Sequence, residues 1–152
     1  MGVKVKVEAR RLNGIWVPVE INMGEKTITT TALINTGFFY MEEKSKVPII
    51  TLPQGLLLLE GISWLYPSKN NPDLLELEIK TARVRVVTQD RATDWVEGEV
   101  YGSFKDHTIL SKDLAGKLGV RIEDLYENTW SLKGENKIRK SAEATIYELL
   151  MK

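Results

Sequence analysis

Residues 29–39 read TTTALINTGFF, and the rest of the sequence is interpreted around this stretch. It begins with β-branched and apolar residues up to Ile34, which favour a strand. The run then changes to a polar corner, Asn35-Thr36-Gly37, followed by two aromatic residues. We therefore expect a strand that delivers a polar loop at its C-terminal end.

The bulk composition is that of an ordinary soluble globular protein. The chain has 152 residues, 43% hydrophobic and 28% charged, which predicts a single domain over residues 1–152. Lys plus Arg equals Asp plus Glu, 21 each, so no general attraction to nucleic acid or to anionic membranes is expected. We expect neither of these partners.

Cysteine and histidine usage limits the chemistry further. The chain has no Cys and one His, which excludes disulfides, thiol catalysis and a multi-histidine metal site within one chain. We expect no cofactor and no metal.

No apolar run approaches the ~20 residues that span a bilayer, and the charged N-terminus lacks the apolar centre of a signal peptide. A cytoplasmic protein is expected.

The N-terminal part of the chain predicts strands joined by tight turns. Residues 3–8 alternate Val with Lys or Glu, the period-two pattern of a half-buried strand. Asn13-Gly14 is a strong tight-turn signal, and residues 15–21 alternate again. Pro18 has no N–H to donate to a ladder, so it should lie at an edge or at a bulge.

The C-terminal part is also predicted to be rich in strands. Apolar alternation predicts strands over residues 74–79, 82–88, 95–101 and 129–133. The tail over residues 141–152 is ambiguous, because its apolar spacing fits a helix while Thr145 and Ile146 favour a strand. The chain as a whole predicts a mainly β fold.

Helix signals are fewer. The best one is SKDLAGKLG, where Ser111 is a natural N-cap and Gly119 ends the helix. One or two helical turns are also predicted before Gly61, which would close them, with Thr51 as a candidate cap. Gly55 lowers the helix propensity of that segment.

The strand and its corner resemble the fireman's-grip loop of aspartic peptidases, which reads apolar, apolar, Asp, Thr, Gly. In this chain Asn35 stands at the Asp position. The order of hairpin, strand, corner, variable middle and apolar pair entering a helix is similar to retropepsin-like domains. In those domains a Gly follows the apolar pair, and here Ile109-Leu110 is followed by Ser111.

The C-terminal part also looks like that of small prokaryotic aspartic-peptidase-related proteins. The matching residues are Leu118-Gly119-Val120, Trp130, Glu135 and Arg139-Lys140-Ser141. The resemblance implies a retropepsin-like closed β-barrel, mainly β, with one main α-helix near the C-terminal half. It also implies a homodimer, because the chain carries the motif once and a working site needs two.

The resemblance assigns the catalytic position to Asn35, Thr36 and Gly37. Two aspartates, one from each chain, would share a proton and activate a water. Thr36 would bond across to the other copy, and Gly37 would let the backbone approach closely. The implied substrate is an extended polypeptide, held by strand-like main-chain hydrogen bonds under a flap placed near residues 63–71.

Asn35 decides how far this function carries over. A carboxamide cannot act as a general base, although it keeps the shape of the loop. Either the protein is a natural non-catalytic relative, or Asn35 replaces an aspartate to silence an active enzyme. Two rival interpretations stay open: a non-catalytic module that binds a peptide or protein in the same cleft, and a plain β-barrel interaction domain in which Asn35 is an ordinary turn residue.

Overall fold

The computed structural model describes residues 2–35, 47–69 and 71–151, with the side chain of residue 151 excepted. These residues form thirteen strands and two short helices. The strands are β1 (Val3–Arg10), β2 (Trp16–Met23), β3 (Lys26–Ile34), β4 (Ile49–Pro53), β5 (Trp64–Pro67), β6 (Leu74–Leu77), β7 (Thr81–Val86), β8 (Val96–Ser103), β9 (Thr108–Leu110), β10 (Val120–Asp124), β11 (Thr129–Leu132), β12 (Arg139–Lys140) and β13 (Ala144–Met151). The helices are α1 (Gln54–Glu60) and α2 (Lys112–Lys117).

Six strands close into a barrel. β2 pairs antiparallel with β3 and with β7, and β7 pairs antiparallel with β8. β8 runs parallel to β4, β4 runs antiparallel to β9, and β9 returns parallel to β3. Each of these six strands is thus paired along both of its edges, which closes the ring. The predicted mainly β, closed barrel is therefore confirmed.

The barrel interior is filled by the apolar positions that the sequence alternation marks. Val17, Val19 and Ile21 of β2 are completely buried. β4 is buried at all five positions, since it lies between β8 and β9 in the ring. A side chain buried in this way contributes about 1.5–3 kcal/mol to folding, so the period-two pattern sets which face of each strand turns inward.

Trp16 departs from the predicted pattern. The alternation of residues 15–21 places it on the outward face, yet its exposed fraction is 2%. Ala144 and Ile146 of β13 pack against it from outside the barrel. The outward face is covered here by a distant part of the chain, which no local periodicity can indicate.

Pro18 lies where the pairing of β2 with β7 ends. Residues 19–22 of β2 pair with β7, and Pro18 stands just before them. Its carbonyl still accepts a hydrogen bond from the N–H of Val87 at 3.0 Å. β2 pairs with both β3 and β7, so the predicted edge or bulge position is wrong, and the missing N–H of proline is instead accommodated at the end of the β2–β7 ladder.

The two helices differ little in length, seven residues in α1 and six in α2. α1 ends at Gly61, which has the predicted left-handed conformation with φ 69°. Its N-cap is Pro53 and not Thr51, because β4 continues to Pro53 and the helix begins only at Gln54. α2 begins after Ser111, whose hydroxyl caps it as predicted.

The ambiguous tail is a strand. β13 pairs antiparallel with β1 over its full length, from Val3 opposite Met151 to Arg10 opposite Ala144. The pair forms a two-stranded ribbon that packs on α1 and β3. Residues 120–140 form a second, three-stranded sheet in the order β10–β11–β12, placed after α2 in the chain.

Candidate functional site

The polar corner begins where β3 ends. Ile34 is the last residue of β3, and its N–H donates to the carbonyl of Ile15 at 2.9 Å. The N–H of Asn35 donates to the carbonyl of Leu110 at 3.0 Å. The parallel pairing of β3 with β9 thus fixes the backbone of Asn35. Of the three residues assigned to the corner, Thr36 and Gly37 lie outside the described residues.

A cavity of about 360 Å³ lies beside Asn35. The described residues that line it come from three separate places in the sequence. They are Asn13, Gly14, Ile15, Leu33, Ile34, Asn35, Leu125 and Asn128. Such a volume falls at the lower end of the range for ligand pockets, about 300–1,000 Å³.

The lining divides into an apolar and an amide part. Ile15 and Ile34 are buried, with exposed fractions of 1% and 5%, and Leu125 adds an apolar side chain that is 63% exposed. Asn13, Asn35 and Asn128 supply three carboxamides. None of the described lining residues carries a charge.

Asn13 and Asn128 are joined by a hydrogen bond. Asn128 Nδ2 donates to Asn13 Oδ1 at 3.0 Å, and Trp16 Nε1 donates to the carbonyl of Asn13 at 3.1 Å. Gly14, with φ 108°, places its Cα so close to Leu33 that a Cβ would lie 2.8 Å from Leu33 Cδ1. The predicted Asn13-Gly14 turn therefore forms one wall of the cavity.

The sequence did not predict a role for Asn128 at this site. It is the one non-glycine residue with positive φ, 56°, in the described part of the chain, a conformation that Asn tolerates better than most residues. Its carbonyl accepts a hydrogen bond from the N–H of Ser141 at 3.0 Å. The only local signal was an Asn just before a predicted strand.

Ser111, the residue that follows the Ile109-Leu110 pair, joins two elements. Its Oγ accepts from the N–H of Leu114 at 3.1 Å and from the N–H of Ile49 at 3.0 Å. The N–H of Ser111 donates to the carbonyl of Ile49 at 2.9 Å. The residue thus holds the start of β4 against α2, close behind the strand that supports Asn35.

His107, the one histidine, lies in the loop between β8 and β9 and is partly buried. Its side chain is 18% exposed, because its ring packs edge-on against Trp16 with the ring centroids 5.2 Å apart. Its Nδ1 lies 2.8 Å from Asp106 Oδ1. His107 is not among the described residues that line the cavity.

The predicted flap segment, residues 63–71, contains β5 and the turn toward β6. β5 and β6 pair as an antiparallel hairpin, and β6 attaches to β8. Leu65 and Tyr66 in this hairpin are exposed, at 44% and 57%. The hairpin does not contribute to the lining of the cavity beside Asn35.

The large pKa shifts lie away from the cavity. Hydrogen bonds from Arg139 lower the pKa of Glu135 to about 2, and they also hold the pKa of Asp90 well below its usual range.

Across residues 2–35, 47–69 and 71–151, no group of three or more His, Cys, Asp or Glu could hold a metal ion. Over the same residues, no helix is long and apolar enough to cross a membrane.

No protein-family model matches the chain, and no curated protein matches it. Among solved structures, it is similar to the crystal structure of the retroviral protease-like domain of Ddi1 from Leishmania major, with a TM-score of 0.42 and 11% identity. That similarity covers 91% of this chain and 96% of the other. The closed barrel and the position of Asn35 are properties of this chain's own strand pairing.

Proposed function

We propose that the chain has the scaffold of a homodimeric aspartic endopeptidase of the retropepsin type, and that Asn35 leaves it inactive as it stands. One observation carries the proposal. Asn35 is the first residue after β3, at the end of the parallel β3–β9 pair and beside a cavity of about 360 Å³. A polar side chain in that place can meet a ligand while the barrel holds its backbone.

The chemistry of the Asp-bearing form follows from two carboxyl groups, one per chain, that share one proton. The ionised carboxylate takes a proton from a bound water, whose oxygen attacks the peptide carbonyl carbon. The other carboxyl group gives its proton to the carbonyl oxygen. A carboxamide has no carboxylate oxygen to accept the first proton, so Asn35 stops the reaction at this step.

The homodimer is part of the proposal because one chain supplies one corner. The ribbon of β1 and β13 offers a surface for a second copy. Val3 and Val7 are exposed at 44% and 49%, and within the described residues β1 pairs only with β13. An edge strand with exposed apolar residues is a common site of strand pairing between chains. The proposed partners are a polypeptide and this second copy.

A second candidate is a non-catalytic module that binds a peptide on the same fold. The neutral, amide-lined cavity favours it, because none of the described lining residues could transfer a proton. This candidate differs from the first in one respect. Restoring an aspartate at position 35 would leave it without proteolytic activity.

The test compares the present chain with Asn35→Asp on a denatured protein substrate between about pH 3 and 7, the range in which a carboxylate pair shares a proton. We expect cleavage by the Asp form alone, blocked by a peptide inhibitor that mimics the tetrahedral intermediate. Asn22→Asp is the matched control, because it adds the same charge at a half-buried hairpin residue that does not line the cavity. Sedimentation of the same samples should show a dimer. If the Asp form is folded and dimeric but cleaves nothing, the peptidase proposal is wrong and the binding module is supported.

A further inference from the structure

We infer that the turn between β10 and β11 determines specificity at this site. Leu125, together with the Asn13–Asn128 pair, forms a subsite for one uncharged apolar side chain of an extended peptide and for the peptide group next to it. The inference rests on the proposed function in so far as the ligand is a peptide. It assigns a binding role to a part of the chain that lies outside the barrel.

The turn is held in a fixed shape. Asp124 Oδ1 accepts from the N–H groups of Tyr126 at 2.8 Å and of Glu127 at 3.2 Å. The register of β10 against β11 shifts between Ile122 and Asp124, and such a bulge re-aims the residues that follow it. Leu125 is therefore presented at the cavity by a structured turn, although it is 63% exposed.

The backbone of Asn128 sets the second part of the subsite. Its left-handed conformation holds it in place, together with the hydrogen bond that its carbonyl accepts from the N–H of Ser141. The bond from Asn128 Nδ2 to Asn13 Oδ1 leaves a donor group on Asn13 and an acceptor atom on Asn128. A peptide group offers one N–H and one C=O, which complements this pair.

The described lining of the subsite favours an apolar side chain of the ligand. Leu33, Ile34 and Leu125 give it apolar walls. A Lys or Asp side chain placed there would lose its water without gaining a partner, which is strongly unfavourable. A side chain of the size of Leu would instead bury its apolar surface.

The first measurement is binding to the present chain, which needs no catalysis. The probes are decapeptides, acetylated and amidated at their ends, that are identical except for a central Leu, Ala, Lys or Asp. We expect the Leu peptide to bind tightest and the charged peptides at least about tenfold more weakly. Amide NMR shifts on binding should concentrate at Gly14, Asn35 and Asn128.

Two variants of the subsite separate its apolar part from its amide part. Leu125→Ala should reduce the preference for Leu over Ala by about tenfold, the usual effect of altered apolar contacts in a pocket. Asn128→Gly keeps a residue that accepts positive φ but removes the carboxamide, so it should weaken all the peptides alike. Leu125→Met keeps an apolar wall and should restore most of the preference.

Tyr126→Ala is the matched control, because Tyr126 lies in the same turn, is 97% exposed and does not line the cavity. It should bind every peptide as the parent does. The inference is wrong if no peptide binds, if the shifts map elsewhere, or if Leu125→Ala and Asn128→Gly keep the parent's affinities and preferences. If Asn35→Asp cleaves peptides, and adding Leu125→Ala or Asn128→Gly to it does not change its peptide preferences, only the subsite inference is wrong. Binding at the cavity without cleavage would overturn the peptidase alone.

Discussion

Ser111 shows how a single side chain can serve two elements. Its hydroxyl oxygen receives the N–H of Leu114 in α2 and the N–H of Ile49 in β4. The first bond is the N-cap that the sequence predicts, because Ser favours that position. The second joins residues 62 positions apart, so only the folded chain brings it about.

We predict that Ser111→Ala lowers the free energy of unfolding by about 1–3 kcal/mol, since it removes an N-cap and leaves a second N–H without an acceptor. Ser111→Thr keeps the hydroxyl and should recover most of the loss. Urea unfolding of the three proteins measures the difference. If the Ala variant is as stable as the parent, the bond to Ile49 has no energetic role.

At the scale of elements, Gly55 explains why a helix with poor local propensity forms. α1 crosses the ribbon of β1 and β13 at this residue, and a Cβ there would lie 2.9 Å from Tyr147 Cβ and 3.0 Å from the Tyr147 carbonyl oxygen. The cost of Gly to the helix is about 0.5–1 kcal/mol. Close packing of the helix on the ribbon offsets it.

The two helices give a matched pair of substitutions. Gly55→Ala should destabilise the protein by about 1–2 kcal/mol, because overpacking at about 1–3 kcal/mol exceeds the gain in helix propensity. Gly116→Ala in α2 should stabilise it by up to about 1 kcal/mol, since nothing lies within 4 Å of its added Cβ. Thermal unfolding compares the two. A stabilised Gly55→Ala would contradict the close crossing.

At the scale of the whole molecule, an ion-pair cluster ties the three-stranded sheet to the loop after β7. Arg139, 8% exposed at its side chain, bonds Glu135 at 2.9 Å and Asp90 at 2.9 Å. Arg91 adds a contact to Glu135 at 3.2 Å. The same sheet carries Leu125 and Asn128 to the cavity, so this cluster helps to position the candidate subsite.

The cluster predicts a loss of stability in acid. Arg139 lowers the pKa of Glu135 to about 2, so the stabilisation is complete above the ordinary pKa of about 4.3 and is lost as the pH falls towards 2. We expect the unfolding midpoint to fall less steeply over this range in Arg139→Leu than in the parent. Lys80→Leu, which removes a cation from an exposed pair with Glu76, should keep the parent's slope. If the slopes are equal in all three proteins, the cluster does not cause the loss of stability in acid.

The sequence by itself determined the features that depend on neighbours in the chain. Alternation marked most strands, Ser111 and Gly61 marked helix ends, and the run up to Ile34 placed Asn35 at the end of a strand. Each of these signals acts over a few residues, through side-chain period, backbone conformation or capping.

Only the tertiary structure decided the features that join distant segments. It made the tail a strand by pairing it with β1, buried Trp16 under β13, and brought Asn13, Asn35 and Asn128 to one cavity. These contacts span more than twenty residues of sequence, and in some cases more than a hundred. Their energy comes from burying surfaces of separate elements against each other, which leaves no periodic trace in either segment.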